Sequence, residues 1–294
     1  MIRVLACWLG LAALCLLSAC GENPPAPPPG GGPALWRVEG KGIDGWLFGT
    51  IHVLPAGVEW QTQRIRDAIG QADRLVLESA EIRDRARTLA QFEKMGRSQG
   101  LPLLESRVPE QDRATLETIV KDGGTSTQTL SAYENWAAAM LLSAAAQQSL
   151  HVSQDHGVEP VLIAAFEGAG KPISGLETVE RQFRAFDTLP ADAQQRLLVD
   201  TVREAKEMRP LFDRILHAWI MGDVPALAKV DRLSEEADPV VEQAVLVDRN
   251  RSWVKSVATL KGCPFIAVGA GHLAGKDNLV DLLQADGYRV TRVQ

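Results

Sequence analysis

Two histidines near opposite ends of the chain share a local phrase. "WLFGTIHVLP" (46–55) and "FIAVGAGHLAG" (265–275) each run apolar residues into Gly-x-x-His, delivering His52 and His272. A third apolar run, "RLVLES" (74–79), closes on Glu78. Two imidazoles and a carboxylate at strand ends can hold a divalent ion and leave a position open for water. The same set can work without metal, as general base and acid in a hydrolase. Spacing does not choose between these, because no His-x-x-x-His or Cys-x-x-Cys pair is present and any site must be assembled from distant segments.

The elements that must bring these residues together follow from periodicity. "ALWRVEGKGIDGWLFGTIHV" predicts a hairpin of two strands about a Gly-rich turn at Gly40 to Gly45. "WQTQRIRDAIGQA" carries helical spacing, and from Glu81 to about Leu260 the pattern is helical, with starts at Pro109, Ser131 and Pro190 and a short strand at "KPISGL". The chain closes as strand, helix and strand through "PFIAVGAGHLAG", "KDNLVDLLQADG" and "YRVTRV". The fold class is therefore α/β, a central sheet built from both ends of the chain with a large helical insertion between them. In such sheets ligands bind at the carboxyl ends of the strands, where His52, Glu78 and His272 would meet if their strands are parallel neighbours. Glycine three residues before each histidine allows a sharp bend or a close approach.

Other titratable residues have blander readings. "HVSQDHGVEP" offers His151, His156 and Glu159, but on a helix the two histidines would point about 140° apart, which argues against a shared metal. Glu177 in "GLET" either caps the following helix or faces the cleft. Arg249, on a helix expected from about Asp238 to Leu260, either forms a salt bridge or grips a substrate carboxylate. His217 reads as a core or boundary histidine. Cys263 reads as an inert, buried thiol.

The first 33 residues are a separate matter. "MIRVLACWLGLAALCLLSAC" has an early arginine, an apolar run and a small-residue end, the pattern of an export signal spanning 1–19. "LLSAC" resembles a bacterial lipobox, which makes Cys20 the lipidated first mature residue, and "ENPPAPPPGGGPA" reads as a Pro/Gly-rich tether reaching the body that begins at residue 34. The expected location is the cell envelope, lipid-anchored, facing the periplasm and in the outer membrane, with Gly21 in place of a retention aspartate. Removal of 1–19 leaves 30 basic against 37 acidic residues, a net charge of −7, and nucleic acid is not an expected partner. At 46% hydrophobic and 23% charged residues, the body is ordinary for a globular protein.

"LFGTIHVLP", "LVLE", "GLETVERQF", "DRN" and "FIAVGAGHLAGKDNLVDLLQADGYRV" together resemble the TraB/GumN family, which is similar to the Tiki proteins, over about residues 34–294. The resemblance implies a Tiki-like fold related to erythromycin-esterase-like proteins, and an active site made of the two Gly-x-x-His motifs and the strand-end glutamate. Animal Tiki members are divalent-metal-dependent proteases. Residue by residue, this implies His52, Glu78 and His272 as ligands of a divalent metal ion (Mn, Co or Zn). Glu78, Glu177 and Arg249, the last beside Asn250, match catalytic or further family positions. Ser79-Ala80 departs from the acidic residue that many relatives carry after the glutamate, although Glu81 is close by. The implied activity is an envelope-anchored, peptidase-like hydrolase acting on a peptide or protein. The alternatives are a non-catalytic envelope or exopolysaccharide-associated protein that captures peptide, haem or glycan, or an assembly factor working through protein contacts.

Overall fold

Alternation in the apolar runs decides how the sheet is covered. In β5 (Pro264–Gly269) every residue is buried, and Phe265 and Ala267 enter one hydrophobic cluster while Ile266 and Val268 enter another. A strand apolar on both faces needs a layer on each side, which is the usual condition of parallel strands joined by helices. The computed structural model describes residues 26–28, 30–230 and 238–294 and supplies that arrangement. The export segment, Cys20 and the first part of the tether lie outside the described residues.

Six strands form one mixed sheet in the order β4-β3-β5-β2-β1-β6. β1 (Leu35–Gly40) and β2 (Ile43–Thr50) are the antiparallel hairpin, turned at Lys41-Gly42 with φ of 49° and 95°. β2 pairs in parallel with β5, β5 with β3 (Arg74–Leu77), and β3 with β4 (Ile173–Gly175), while β6 (Arg289–Arg292) adds antiparallel to β1. The sheet is built from both ends of the chain, as expected. Its four parallel strands deliver their carboxyl ends, at Thr50, Leu77, Gly175 and Gly269, to one edge.

The helical stretch from Glu81 onward packs on one face, with Trp136, Phe166 and Phe186 fully buried within the larger cluster. The other face carries Trp253 of Asp248–Val257 and Leu279 and Leu283 of Leu279–Ala285. The alanine-rich run forms the buried helix Asn135–Gln147. Ser131 does not start it. Its hydroxyl accepts from Leu104 N and donates to Thr127 O, at the end of the short helix Thr127–Leu130, and the chain turns again before Asn135. The helix expected from Asp238 is capped by the Asp238 carboxylate at Val240 N and then passes through a π-turn at Gln243–Val247 before resuming as Asp248–Val257. Among the described residues no helix is long and apolar enough to cross a membrane.

Candidate active site

Each of the four parallel strands contributes one polar side chain just past its end: His52 after β2, Glu78 after β3, Glu177 after β4 and His272 after β5. Glu177 is aligned with Glu78 by a continuation of the strand pairing, since Glu177 N donates to Glu78 O at 2.9 Å. Thr50 pairs with Gly269, so the two Gly-x-x-His corners lie side by side. Neither glycine has a left-handed backbone, and Gly49 is there for close approach. A Cβ on Gly49 would stand 3.2 Å from the Ala270 Cα, and Gly269 has φ of −50°.

The corners then diverge. His272 is fully buried in the turn Ala270–Leu273, its ring 4.3 Å from that of Trp253. Asn250 uses its amide nitrogen on the Asp277 carbonyl at 3.0 Å, so its Oδ1 must accept, and His272 Nδ1 donates to it at 2.7 Å. The Nε2 lone pair of His272 is thereby turned toward Arg249 Nη1 at 3.2 Å. Arg249 Nη2 lies 2.6 Å from Glu78 Oε2 and 2.6 Å from Glu177 Oε1, and Nε donates to the same Glu177 oxygen at 2.8 Å. Gly269 N and Gln182 Nε2 complete the shell of Glu78, at 2.7 and 3.1 Å.

Electrostatics separates the two carboxyls. Burial alone would raise the pKa of Glu78, but the Arg249 guanidinium, helped by the Gly269 amide, outweighs it and brings it down to about 2. Burial does raise that of Glu177, because one guanidinium cannot fully compensate two enclosed anions. Glu177 is thus not a helix cap. Thr178 caps Val179–Asp187 by accepting from Arg181 N, and Glu81 accepts from Val179 N at 2.8 Å. Glu81 therefore supplies no second carboxylate to the cluster.

At the other corner His52 Nδ1 lies 2.6 Å from Glu159 Oε1, which also accepts from the Thr50 hydroxyl. Glu159 is buried in the first turn of Val158–Gly168. Two contacts bring that helix to β2: Leu54 and Ser153 exchange backbone hydrogen bonds at 3.2 and 3.0 Å, and Val158 N donates to Ile51 O at 3.1 Å. Gly157 makes the approach possible, since a Cβ there would stand 2.0 Å from the His52 carbonyl oxygen. The segment set aside in the sequence thus supplies a functional candidate in Glu159, while His151 and His156 are exposed. The only sequence signal was an acidic residue two positions after a glycine at a helix start. His217 is exposed rather than at a core boundary; Cys263 is half-buried rather than buried, and that burial pushes its thiol up.

In front of His52, Glu78, Glu159 and Gln182 opens a cavity of about 450 Å³. Its walls are mostly apolar, with Phe92, Met140, Ile163 and Phe183 among them, and Arg83 and Arg85 also line it. Arg249, Glu177 and His272 do not line it.

The family model described as the TraB/PrgY/gumN family matches residues 34–292. The chain belongs to this family. It is 26% identical over 239 residues to proteins of Escherichia coli (strain K12) and Shigella flexneri, each described as uncharacterized protein YbaP, covering 81% of this chain and 87% of theirs. It is 25% identical over 185 residues to a protein of Amphimedon queenslandica described as a metalloprotease TIKI homolog, covering 52% of this chain and 36% of that one. No solved structure matches it.

The relative described as a metalloprotease raises a metal ion, and the donors of this chain bear on whether one fits. The tautomer of His272, with Nδ1–H held and Nε2 presenting its lone pair, suits a metal ligand. His52, with Nδ1 held by Glu159, has the same tautomer. The surroundings of the other donors oppose an ion: the His272 lone pair and Glu78 Oε2 both face the guanidinium of Arg249, and the other oxygen of Glu78 accepts from Gly269. Among the described residues no group of three or more His, Cys, Asp or Glu side chains is placed to hold a metal. The expected ligand set of His52, Glu78 and His272 does not fit the ion as the residues stand.

Proposed function

We propose that this protein is a hydrolase of a carbonyl substrate, peptide or ester, that presents an apolar group to the cavity. The supporting observation is the 2.6 Å pairing of His52 with Glu159 at the wall of that cavity. A carboxylate on Nδ1 fixes the tautomer that leaves Nε2 as proton acceptor and stabilises the imidazolium that forms. In the proposed reaction His52 takes a proton from water as its oxygen bonds to the carbonyl carbon. The tetrahedral species then collapses, and the imidazolium returns the proton to the departing amine or alkoxide. Glu78, ionised and held by Arg249, lines the same cavity and favours the imidazolium. The apolar walls exclude water from the rest of the substrate and select for bulk. The export signal and Cys20 would set this chemistry at the cell envelope, on a peptide or protein substrate there.

A second reading has the metalloprotease relative and the His272 tautomer in its favour: a divalent ion bound after Arg249 withdraws. Metal-stripped protein assayed in chelator against p-nitrophenyl esters of increasing acyl length and chromogenic peptide amides separates the two. The proposal expects turnover that persists in chelator, rises with acyl bulk, and disappears in His52→Ala. Turnover seen only after Mn, Co or Zn is restored would overturn it in favour of the second reading.

A further inference from the structure

The side chains around the Arg249 guanidinium are those from which proteins build metal sites: two carboxylates and an imidazole with Nε2 presented. Glu78 and Glu177 each lie 2.6 Å from Nη2, and His272 Nε2 lies 3.2 Å from Nη1. A His/Glu/Glu set of this kind binds Mn, Fe or Zn when the middle is open. We propose that Glu78, Glu177 and His272 form a buried cation site that the chain fills with its own Arg249, so that the place of a cation is already taken and the cluster takes no divalent ion.

The guanidinium is held as part of the framework. Its Nη1 donates to Val245 O at 3.1 Å, inside the π-turn Gln243–Val247, and its plane lies over Trp253 with 4.7 Å from the central carbon to the ring centroid. The extra residue of a π-turn redirects the side chains that follow it, here into the strand-end edge. Arg249 is 2% exposed and the ring of Trp253 seals it from the second hydrophobic cluster, so it has no solvated position to retreat to without repacking. Both Glu78 oxygens are already satisfied, by Gly269 and Gln182 besides Arg249. A divalent ion entering this shell would sit against a permanent positive charge in a poorly screened interior, where repulsion at such separations is strong. Arginine also suits the place better than a metal would for a static task, since its planar fork serves two carboxylates and an imidazole at once and never deprotonates. The expected role is positioning. Arg249 holds Glu78 as an anion beside His52 and does not itself reach the cavity.

The inference shares its cluster with the proposed hydrolase but concerns cation binding, so its test reads binding and stability and stands whether or not the protein turns anything over. Metal-stripped wild-type protein, Arg249→Ala and Arg249→Lys are titrated with MnCl2, CoCl2 and ZnCl2 and, separately, with methylguanidinium, following melting temperature and equilibrium metal uptake. Wild type is expected to show no stoichiometric uptake and no saturable rise. Arg249→Ala is expected to melt lower and to recover saturably with methylguanidinium or with a divalent ion, a recovery absent when His272→Ala is added. Arg249→Lys, which keeps the charge and tests the point even if the alanine variant does not fold, is expected to fold and to take up no metal. One equivalent of divalent ion bound by wild type and lost in His272→Ala or Glu78→Gln would overturn the proposal. So would a folded Arg249→Ala that neither cation restores.

Discussion

The two Gly-x-x-His corners begin as copies and end as opposites. Both histidines follow neighbouring parallel strands at the same edge of the sheet, and both donate from Nδ1 to a side-chain oxygen. His272 meets a neutral amide at Asn250, is wholly buried, and turns its lone pair to Arg249. His52 meets a carboxylate at Glu159 and stands at the wall of the cavity. Local sequence therefore places an imidazole, and the residues arriving from the helical stretch decide what that imidazole can do. A carboxylate partner favours taking up a proton, whereas an amide partner beside a guanidinium disfavours it. One corner is arranged for proton transfer, the other for holding charge.

The comparison breaks most readily at Arg249. Arg249→Met leaves Glu78 and Glu177 enclosed without their cation, and urea unfolding should show a loss of about 3–5 kcal/mol. A loss below about 1 kcal/mol would mean the charge-holding corner is solvated in a way its burial denies.

Next in size is a split between stability and turnover. His52→Ala should lower kcat toward hydrolysed substrate by about 10²–10⁴-fold with a modest fall in unfolding midpoint, since Glu159 keeps the Thr50 hydroxyl. His272→Ala should lower the midpoint further, because it abandons Arg249 and Asn250 in the interior. Equal effects of the two substitutions on both readouts would erase the distinction.

Gly157→Ala sharpens it from the other side. Its methyl would collide with the His52 carbonyl, so the expected cost is about 1–3 kcal/mol together with weakened turnover, from displacement of Glu159 relative to His52. A neutral result by urea titration and assay would show that the approach of the two segments is not needed.

The smallest effect is on acid stability. The pKa of Glu78 in the fold, about 2, lies below its ordinary 4.5, so the unfolded chain binds more protons between those values. The contribution of Glu78 is thus complete above pH 4.5 and is lost as pH falls toward 2. Glu177 is shifted the other way, so its contribution declines as pH rises through and above the ordinary carboxylate range. Glu78→Gln should flatten the acid limb of a stability–pH curve, and an unchanged limb would contradict the pairing with Arg249.

Much of this was legible in the sequence because the strands announce themselves. Apolar runs ending at Thr50, Leu77 and Gly269 gave the sheet, its assembly from both chain ends, and the meeting of Glu78 with His272. The approach of Glu159 to His52 was not legible, because it depends on a bridge between Leu54 and Ser153, about a hundred residues apart, and on a missing Cβ at Gly157. Reading 151–160 as a helix pointed attention at His151 and His156, whereas a break at Gly157 frees Glu159 from that geometry. Arg249 was open between salt bridge and substrate grip. Only the π-turn and the covering Trp253 show that it faces inward, toward two carboxylates rather than a ligand.

The difference between the corners is tested most directly by acylation. Diethyl pyrocarbonate is a small carbonyl electrophile that transfers its acyl group to an imidazole lone pair, and peptide mass spectrometry can follow each histidine separately in the native protein. The account predicts that His52, which lines the cavity, is acylated in the native protein, and more slowly after Glu159→Gln, while His272 stays unmodified until the protein unfolds. Acylation of His272 in the native state as fast as His52 would contradict it, since its lone pair would then not be held by Arg249.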